Sequence, residues 1–321
     1  MSGPDLAPVL IVTYARLEHL KMTVTALRRN ILADQTDLYV ASDYQRADSD
    51  AGKVASVRSY LRSIDGFKSI TIFEREKNLG AAENTFSALV IILNKHDRFI
   101  LMEDDIVTAP GFLNFINEAF DRYGENGRVF SISGYCPPMH PPSSYQYDAF
   151  FLGRMSAWGC GFTKERYESV REITRNEFDD FSANKKLTQA FIKNGEDLLV
   201  MLKNVAYGSL EAWDVRCMYT QFMNDQYTLY PTKSLVQNIG FDGTGVHCGD
   251  TDRFNVVLSD MTTFRLPDDV VVDQRIVKAN REFRAGPSNI RIFIWKIRSI
   301  VGKWLGIFKR YLKSIVSRLI Q

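Results

Sequence analysis

Cysteine and histidine are both scarce here, four of each in 321 residues. Cys136, Cys160, Cys217 and Cys248 form no CxxC pair and no framework spacing, which excludes a disulfide scaffold and reads as reduced thiols. A zinc site on Cys248 and the adjacent His247 finds no further ligand pair at suitable spacing. No stretch approaches the ~20 uninterrupted apolar residues of a membrane span. Residues 1–8 are short, polar and free of Lys and Arg, so no signal peptide is expected. Acidic residues vanish from Arg284 onward, where nine Lys/Arg fall. The remainder carries the other 31 basic residues against 38 acidic ones, a net of −7 inside a chain of net +2. A net acidic body argues against nucleic acid as its partner, and the unopposed basic residues of the tail suggest an anionic partner of its own.

What is present is alternation. The length suits one large domain or two closely packed ones. Apolar runs predict strands over 9–14, 37–43, 69–73, within 98–105, and over 129–133. Helical periodicity fills the gaps at 17–30, 53–62, 81–94 and 111–123. Such alternation predicts an α/β fold, a Rossmann-like and mostly parallel sheet with helices on both faces. Beyond Gly134 the pattern changes to a Pro- and Tyr-rich loop over 136–147, a strand over 149–152 and a Gly/aromatic segment over 153–162. Helical stretches follow over 164–175, 185–193, 197–205 and 210–223, then a short strand over 227–230. A Gly-rich stretch over 240–252 is a candidate mobile loop. The expected divisions are 1–134 for the first half, 135–285 for the second and 286–321 for a tail.

The chain is organised around Arg98-Phe99-Ile100-Leu101-Met102-Glu103-Asp104-Asp105. A short apolar run into three carboxylates reads as a buried strand whose acidic end lies where open α/β sheets place their ligands. Adjacent carboxylates repel one another and are costly to bury unpaired, so a cation is the natural partner. Oxygen-only ligation suits Mg²⁺ or Mn²⁺ bridging to phosphate. The competing account is a solvated acidic turn before the helix that Pro110 opens. Other strand ends should converge there: Thr13 and Arg16 after the first, Asp43 after the second, and the turn at Asn78-Leu79-Gly80 leading to Asn84. Arg16 can pair with phosphate or stack on a base. Asp43 can accept from a base or ribose, or act as a helix cap. Asp214 follows Trp213, and an aromatic wall raises a carboxylate's pKa towards the range of a general base. Helix capping by Asp214, with Glu196, Asp197 or Glu211 as rival bases, is the alternative. Trp158 fits either a core or a sugar-stacking platform.

With these residues in order, the sequence resembles the GT-A glycosyltransferases, and among them the N-acetylglucosaminyltransferase I group more closely than the bacterial family-two enzymes. The carriers are 9–14 followed by Arg16, Ala41-Ser42-Asp43, the variant Asp-any-Asp motif Glu103-Asp104-Asp105, Phe150-Phe151-Leu152-Gly153, Ala212-Trp213-Asp214, and Gly243-Thr244-Gly245-Val246-His247. The resemblance spans most of residues 9–250. It implies a metal-dependent, inverting transfer from a nucleotide sugar, usually a uridine diphosphate sugar. It implies Asp105 as direct ligand to Mn²⁺ (or Mg²⁺), and Glu103 and Asp104 at ribose and sugar. Asp214 would be the base, Arg16, Asp43 and Asn84 would line the nucleotide, and His247 would lie in a closing loop. Asn84 stands where the family's pattern has a basic residue or His. No counterpart of the membrane anchor of the animal enzymes is expected.

Residues 290–321 predict a C-terminal amphipathic helix. Phe293, Ile297, Ile300, Trp304, Phe308, Tyr311, Ile315 and Leu319 share one face, and Arg291, Lys303, Lys309, Arg310 and Lys313 the other. A basic polar face opposite aromatics suits an anionic membrane surface, with packing on the body or a dimer interface as alternatives. The expectation is a cytoplasmic glycosyltransferase peripherally attached to the inner face of a bacterial membrane. Its acceptor would be a lipid-linked saccharide of cell-surface polysaccharide synthesis. The rivals are a sugar nucleotidyltransferase, which normally has a Gly-rich phosphate loop absent from Thr13-Tyr14-Ala15-Arg16-Leu17-Glu18, and a non-catalytic adaptor.

Overall fold

The computed structural model describes residues 6–243 and 251–285. Within the first half, β1 (Val9–Thr13), β2 (Asp37–Ser42), β3 (Ser69–Glu74) and β4 (Arg98–Glu103) alternate with α1 (Leu17–Arg28), α2 (Ala51–Leu61) and α3 (Gly80–Leu93). A three-residue strand, β5 (Ile106–Thr108), precedes α4 (Phe112–Tyr123) and β6 (Val129–Ser133). The second half supplies β7 (Ala149–Leu152), β8 (Cys160–Thr163), β9 (Tyr227–Pro231) and β10 (Val236–Asn238). Its helices are α5 (Lys164–Glu168), α6 (Arg175–Ala183), α7 (Lys185–Phe191), α8 (Leu198–Ala206), α9 (Trp213–Met223) and α10 (Gln274–Ala285).

Eight strands form one mixed sheet in the order β3-β2-β1-β4-β8-β6-β9-β7. β3, β2, β1 and β4 run parallel, while β8 is antiparallel to both β4 and β6. The α/β fold with helices on both faces is therefore as the alternation predicts. Side chains explain why. Along β1, β2 and β4 successive residues enter opposite cores, Ile11, Val40 and Ile100 one and Leu10, Tyr39 and Phe99 the other. Both faces are buried, which is why these strands read as unbroken apolar runs. Helices α1, α2 and α4 cover the first core, and α3, α6, α8 and α9 cover the second.

Because β1 has β2 on one side and β4 on the other, the strand order reverses between β1 and β4. Open sheets bind ligands outside the carboxyl ends of the strands at such a point. The triple carboxylate follows β4 there.

Three elements depart from the sequence-based expectation. The helix over 164–175 stops at Glu168, and a separate helix starts at Arg175, capped reciprocally by Thr174 and Glu177. The Gly/aromatic segment contains β8, whose Gly161 lies between Ile100 and Ile132. A Cβ at Gly161 would stand 2.8 Å from Phe120 and 2.9 Å from Ile116, so glycine lets α4 lie close on the sheet. β10 pairs antiparallel with β5 as a separate two-stranded ribbon. No helix among the described residues is long and apolar enough to cross a membrane. The expected tail over 286–321 and His247 lie outside the described residues.

Candidate active site

The site begins where β1 and β4 end. Asp104 and Asp105 are buried, at 3% and 4% exposure, and an unpaired pair of carboxylates at that depth would be costly. Arg16, in the loop after β1, offsets the cost. Its guanidinium donates to Asp104 and to Asp105, the latter at 2.8 Å. Thr13 Oγ1 donates to Asp104 Oδ2 at 2.9 Å, and Thr23 Oγ1 to the Asp104 carbonyl at 2.8 Å. Burial still pushes the Asp104 pKa up, against the pull of Arg16. Part of the cation expected beside the three carboxylates is thus supplied by the chain itself. Thr13 and Arg16 hold the acidic turn in place.

Glu103 is reached by solvent, yet enough protein surrounds it to raise its pKa. With Asp105 and Asp104 adding and Arg16 opposing, it rises to about 7. Asp214 also raises it. The carboxylate at the start of α9 thus lies within electrostatic reach of the β4 end, 111 residues earlier in the chain. Cys160, which opens β8 beside β4, has its thiol raised by burial and then by both Glu103 and Asp214.

Asp214 is the second residue of α9, and the cap position belongs to Ala212. Burial raises the Asp214 pKa, opposed by the Val215 N–H, Arg154 and Arg284. Trp213 beside it packs on Phe162 of β8 with ring centroids 6.2 Å apart. Among the rival bases, Asp197 is committed to Arg154 by two 2.8 Å bonds. Burial raises the Asp197 pKa, but Arg154 outweighs that and the net shift is downward. Glu196 pairs with Arg281 at 3.0 Å.

Asp105 is the position to test for a metal. Its Oδ1 is buried without a partner, while Oδ2 takes Arg16. The ribbon β5–β10 delivers Ile239, whose N–H donates to the Asp105 carbonyl at 2.9 Å, and then Gly240. A Cβ on Gly240 would lie 2.1 Å from Asp105 Oδ2, so only glycine lets the chain pass there. Among the described residues no three His, Cys, Asp or Glu side chains converge as a ligand set. The fit is therefore to one protein oxygen, from Asp105, with phosphate and water oxygens completing an Mg²⁺ or Mn²⁺ shell.

The expected nucleotide-lining residues fall differently. Asp43 is buried and accepts from Tyr44 N at 2.8 Å, Leu79 N at 2.9 Å, Gly80 N at 2.9 Å and Asn78 Nδ2 at 3.1 Å. It ties β2 to the start of α3, and Asn78, which also donates to the Tyr44 carbonyl at 2.6 Å, belongs to the same knot. Asn84 is fully buried. Its Nδ2 donates to the Ala41 carbonyl at 3.1 Å, and its Oδ1 accepts from Arg75 Nε at 2.8 Å. Arg75, just after β3, is the residue that sequence reasoning missed here. It follows an apolar strand at the same edge as Asp43, the signal that could have found it. Trp158 has Tyr135, Phe241 and Phe254 around it in an aromatic cluster, at 4.5, 5.4 and 5.6 Å.

Replacement of Asp43 by alanine should lower stability by about 2–4 kcal/mol. Bonds to a carboxylate contribute more than neutral ones, and stranded donors add their desolvation cost. Urea unfolding measures the loss. Unchanged stability with weakened nucleotide binding would show instead that the carboxylate is free for ligand.

No protein-family model matches the chain, and no curated protein matches it. Among solved structures it is similar to Staphylococcus aureus TarS, with a TM-score of 0.42 and 10% identity over 72% of this chain and 36% of that one. It is also similar to the mannosyltransferase PcManGT from Pyrobaculum calidifontis, solved in complex with GDP-Man and Mn²⁺ (TM-score 0.40, 10% identity, 68% of this chain and 69% of that chain). Residues 1–349 of TarS give a TM-score of 0.40 at 10% identity, covering 72% of this chain and 59% of that one. This chain thus spans about a third of the first TarS chain. These three are neighbours in outline at low identity, and the chemistry has to come from the residues of this chain.

Proposed function

We propose that the protein is a glycosyltransferase, moving a sugar from a nucleoside diphosphate donor, inferred to be a uridine diphosphate sugar, to an acceptor hydroxyl with inversion. The observation that supports it most is the acidic turn Glu103-Asp104-Asp105 at the β1/β4 switch point, with Asp214 of the second half of the chain acting electrostatically on Glu103. In this reading Asp214 accepts the proton of the acceptor hydroxyl as its oxygen attacks the anomeric carbon. The bond from that carbon to the diphosphate breaks on the opposite side. A general base with a raised pKa suits the first part. A divalent cation held through Asp105 would neutralise the departing diphosphate. In this reading Glu103 takes a hydroxyl of the donor, Asp104 acts through its hold on Arg16 and Thr13, and Asp43, Asn78 and Asn84 shape the wall of the nucleoside site.

The test is donor turnover without acceptor. The full chain with Mn²⁺ should slowly hydrolyse one nucleotide sugar from a uridine, guanosine and cytidine diphosphate series, read as released nucleoside diphosphate. No release from any donor, combined with no binding of any, would overturn the proposal.

The acceptor and address rest on the sequence pattern of 290–321, and we infer a lipid-linked saccharide at an anionic membrane surface. Truncation after Gly286 should release the protein from anionic vesicles in sedimentation while sparing donor hydrolysis. The attachment of the full chain should weaken as salt rises, since exposed charges are screened over ~10 Å at 0.1 M. A full chain that stays in solution with such vesicles, or a truncated one that unfolds, would contradict the membrane role.

A further inference from the structure

The end of the sheet away from the acidic turn carries a cleft of its own. β8 runs antiparallel to both β4 and β6, and β9 is parallel to β6, so β9 starts at the opposite end of the sheet from Glu103-Asp104-Asp105. β7 is antiparallel to β9 and finishes beside that start. Between the end of β7, the start of β9, a single 3₁₀ turn over Ile192–Asn194 and the start of α10 lies a cavity of about 200 Å³. Sites for drug-sized ligands run to roughly 300–1,000 Å³, so this one suits a single ring rather than a nucleotide.

Its lining includes polar groups that the fold leaves unspent. Gln226, only 5% exposed, gives its Nε2 to the Gly127 carbonyl at 2.9 Å, while its Oε1 is buried without a partner. Asn194 is half-buried, and its side-chain amide hydrogen-bonds no described residue. Gly153 makes room for it: a Cβ there would stand 2.6 Å from Asn194 Oδ1 and 2.8 Å from Nδ2. Lys193 and Gln274 are exposed at the rim. Asp225, the carboxylate in the lining, is already committed, accepting from Tyr227 OH at 2.7 Å and from Arg128 at 3.4 Å. Phe222 and Tyr227, with Val272 and Val277, supply apolar surface between these groups.

The walls are fixed before any ligand arrives. Arg281 of α10 pairs with Glu196, two residues beyond Asn194, at 3.0 Å. Arg275 donates to Ser144 Oγ at 3.0 Å, and Phe222 packs on Phe191 with ring centroids 5.1 Å apart. Little ordering cost is left for binding to meet.

We propose that this cleft is a saccharide subsite that takes one neutral pyranose unit at a distance from the transfer site. Amide side chains donate and accept at once, as sugar hydroxyls do, and the aromatic and aliphatic surface suits the C–H face of a ring. A cation would find no uncommitted carboxylate there, and a phosphate would find one exposed lysine. A second hold on a saccharide chain raises its local concentration at the enzyme. That use rests on the proposed transfer reaction, whereas the binding itself does not.

The experiment titrates the full chain, by ligand-observed NMR and calorimetry, with glucose, galactose, mannose, N-acetylglucosamine and N-acetylgalactosamine, without nucleotide or metal. At least one should bind with a Kd on the order of 1 mM, the strength expected of a single ring. Asn194→Ala removes the amide and Gly153→Ala displaces it, and each should weaken that sugar at least fivefold. Asn194→Ala should keep the wild-type thermal midpoint and leave Mn²⁺-dependent nucleotide binding within twofold. Lys278→Gln, at an exposed pair on α10, and Asp105→Asn, at the other end of the sheet, should bind the sugar like the wild type. The subsite is overturned if none of the five sugars binds the wild-type chain, or if binding survives in both Asn194→Ala and Gly153→Ala. It is also overturned if Asp105→Asn loses the sugar, which would place the ring at the transfer site. A marked fall in the Asn194→Ala midpoint would assign Asn194 to packing and overturn it as well. Sugar binding without any Mn²⁺-dependent nucleotide binding would defeat the proposed transfer reaction and leave the subsite standing.

Discussion

Asp214→Asn should bind the donor as the wild type does and lose transfer by roughly the 10²–10⁴-fold typical of a missing acid–base group. Asparagine keeps the shape and its place in the first turn of α9, so neither the Trp213–Phe162 contact nor the helix start is disturbed. What it cannot do is take a proton. Removing the Asp214 charge also lessens the repulsion on Glu103, so donor affinity should hold or improve slightly. The measurement is a pair: nucleotide-sugar affinity by calorimetry and turnover by released diphosphate. An active Asp214→Asn enzyme would contradict the assignment and return attention to Glu103. A product of retained anomeric configuration by NMR would contradict the inverting scheme.

The second large effect belongs to Asp105→Asn. Changes around a metal ligand already cost 10–100-fold in metal affinity, and loss of the one carboxylate proposed as ligand among the described residues should cost more than roughly 100-fold. The fold should survive. Asparagine is isosteric against Gly240, the Ile239 bond goes to the main chain, and Arg16 keeps Asp104. The expected result is a protein with a near-normal unfolding midpoint whose nucleoside diphosphate binding no longer responds to Mn²⁺. An unchanged Mn²⁺ response would mean that the cation is held by other groups and that Asp105 Oδ1 holds no metal.

Much of the fold was legible because both faces of the central strands are buried. Val9–Thr13, Asp37–Ser42 and Arg98–Glu103 have no polar alternation to confuse them, and their helices carry single apolar stripes. The reading failed where tertiary packing replaces local pattern. Cys160–Thr163 is four residues long with a glycine inside, and it is a strand because Ile100 and Ile132 flank it and α4 presses on it. Val236–Asn238 exists through its pairing with β5. The start of α6 was readable, since Thr174 and Glu177 have the spacing of a capping box, and continuous helical periodicity masked it.

In the site, residue types were easier to read than their partners. The acidic turn and Asp214 are recognisable because carboxylates after an apolar strand or beside a tryptophan are out of place without a task. That Arg16 would bind the carboxylates, that Asp43 would accept four bonds from its own chain, and that Asn84 would hold Arg75 depends on where three strand ends meet.

The central claim, that the β1/β4 end binds a nucleotide sugar through a cation on Asp105, is tested most directly by one titration. The full chain is titrated calorimetrically with uridine, guanosine and cytidine diphosphate sugars, once in Mn²⁺ and once in a chelator. The account predicts that one nucleotide binds in Mn²⁺ and that its affinity collapses in chelator. Equal affinity in both, or no binding of any nucleotide in either, would contradict it.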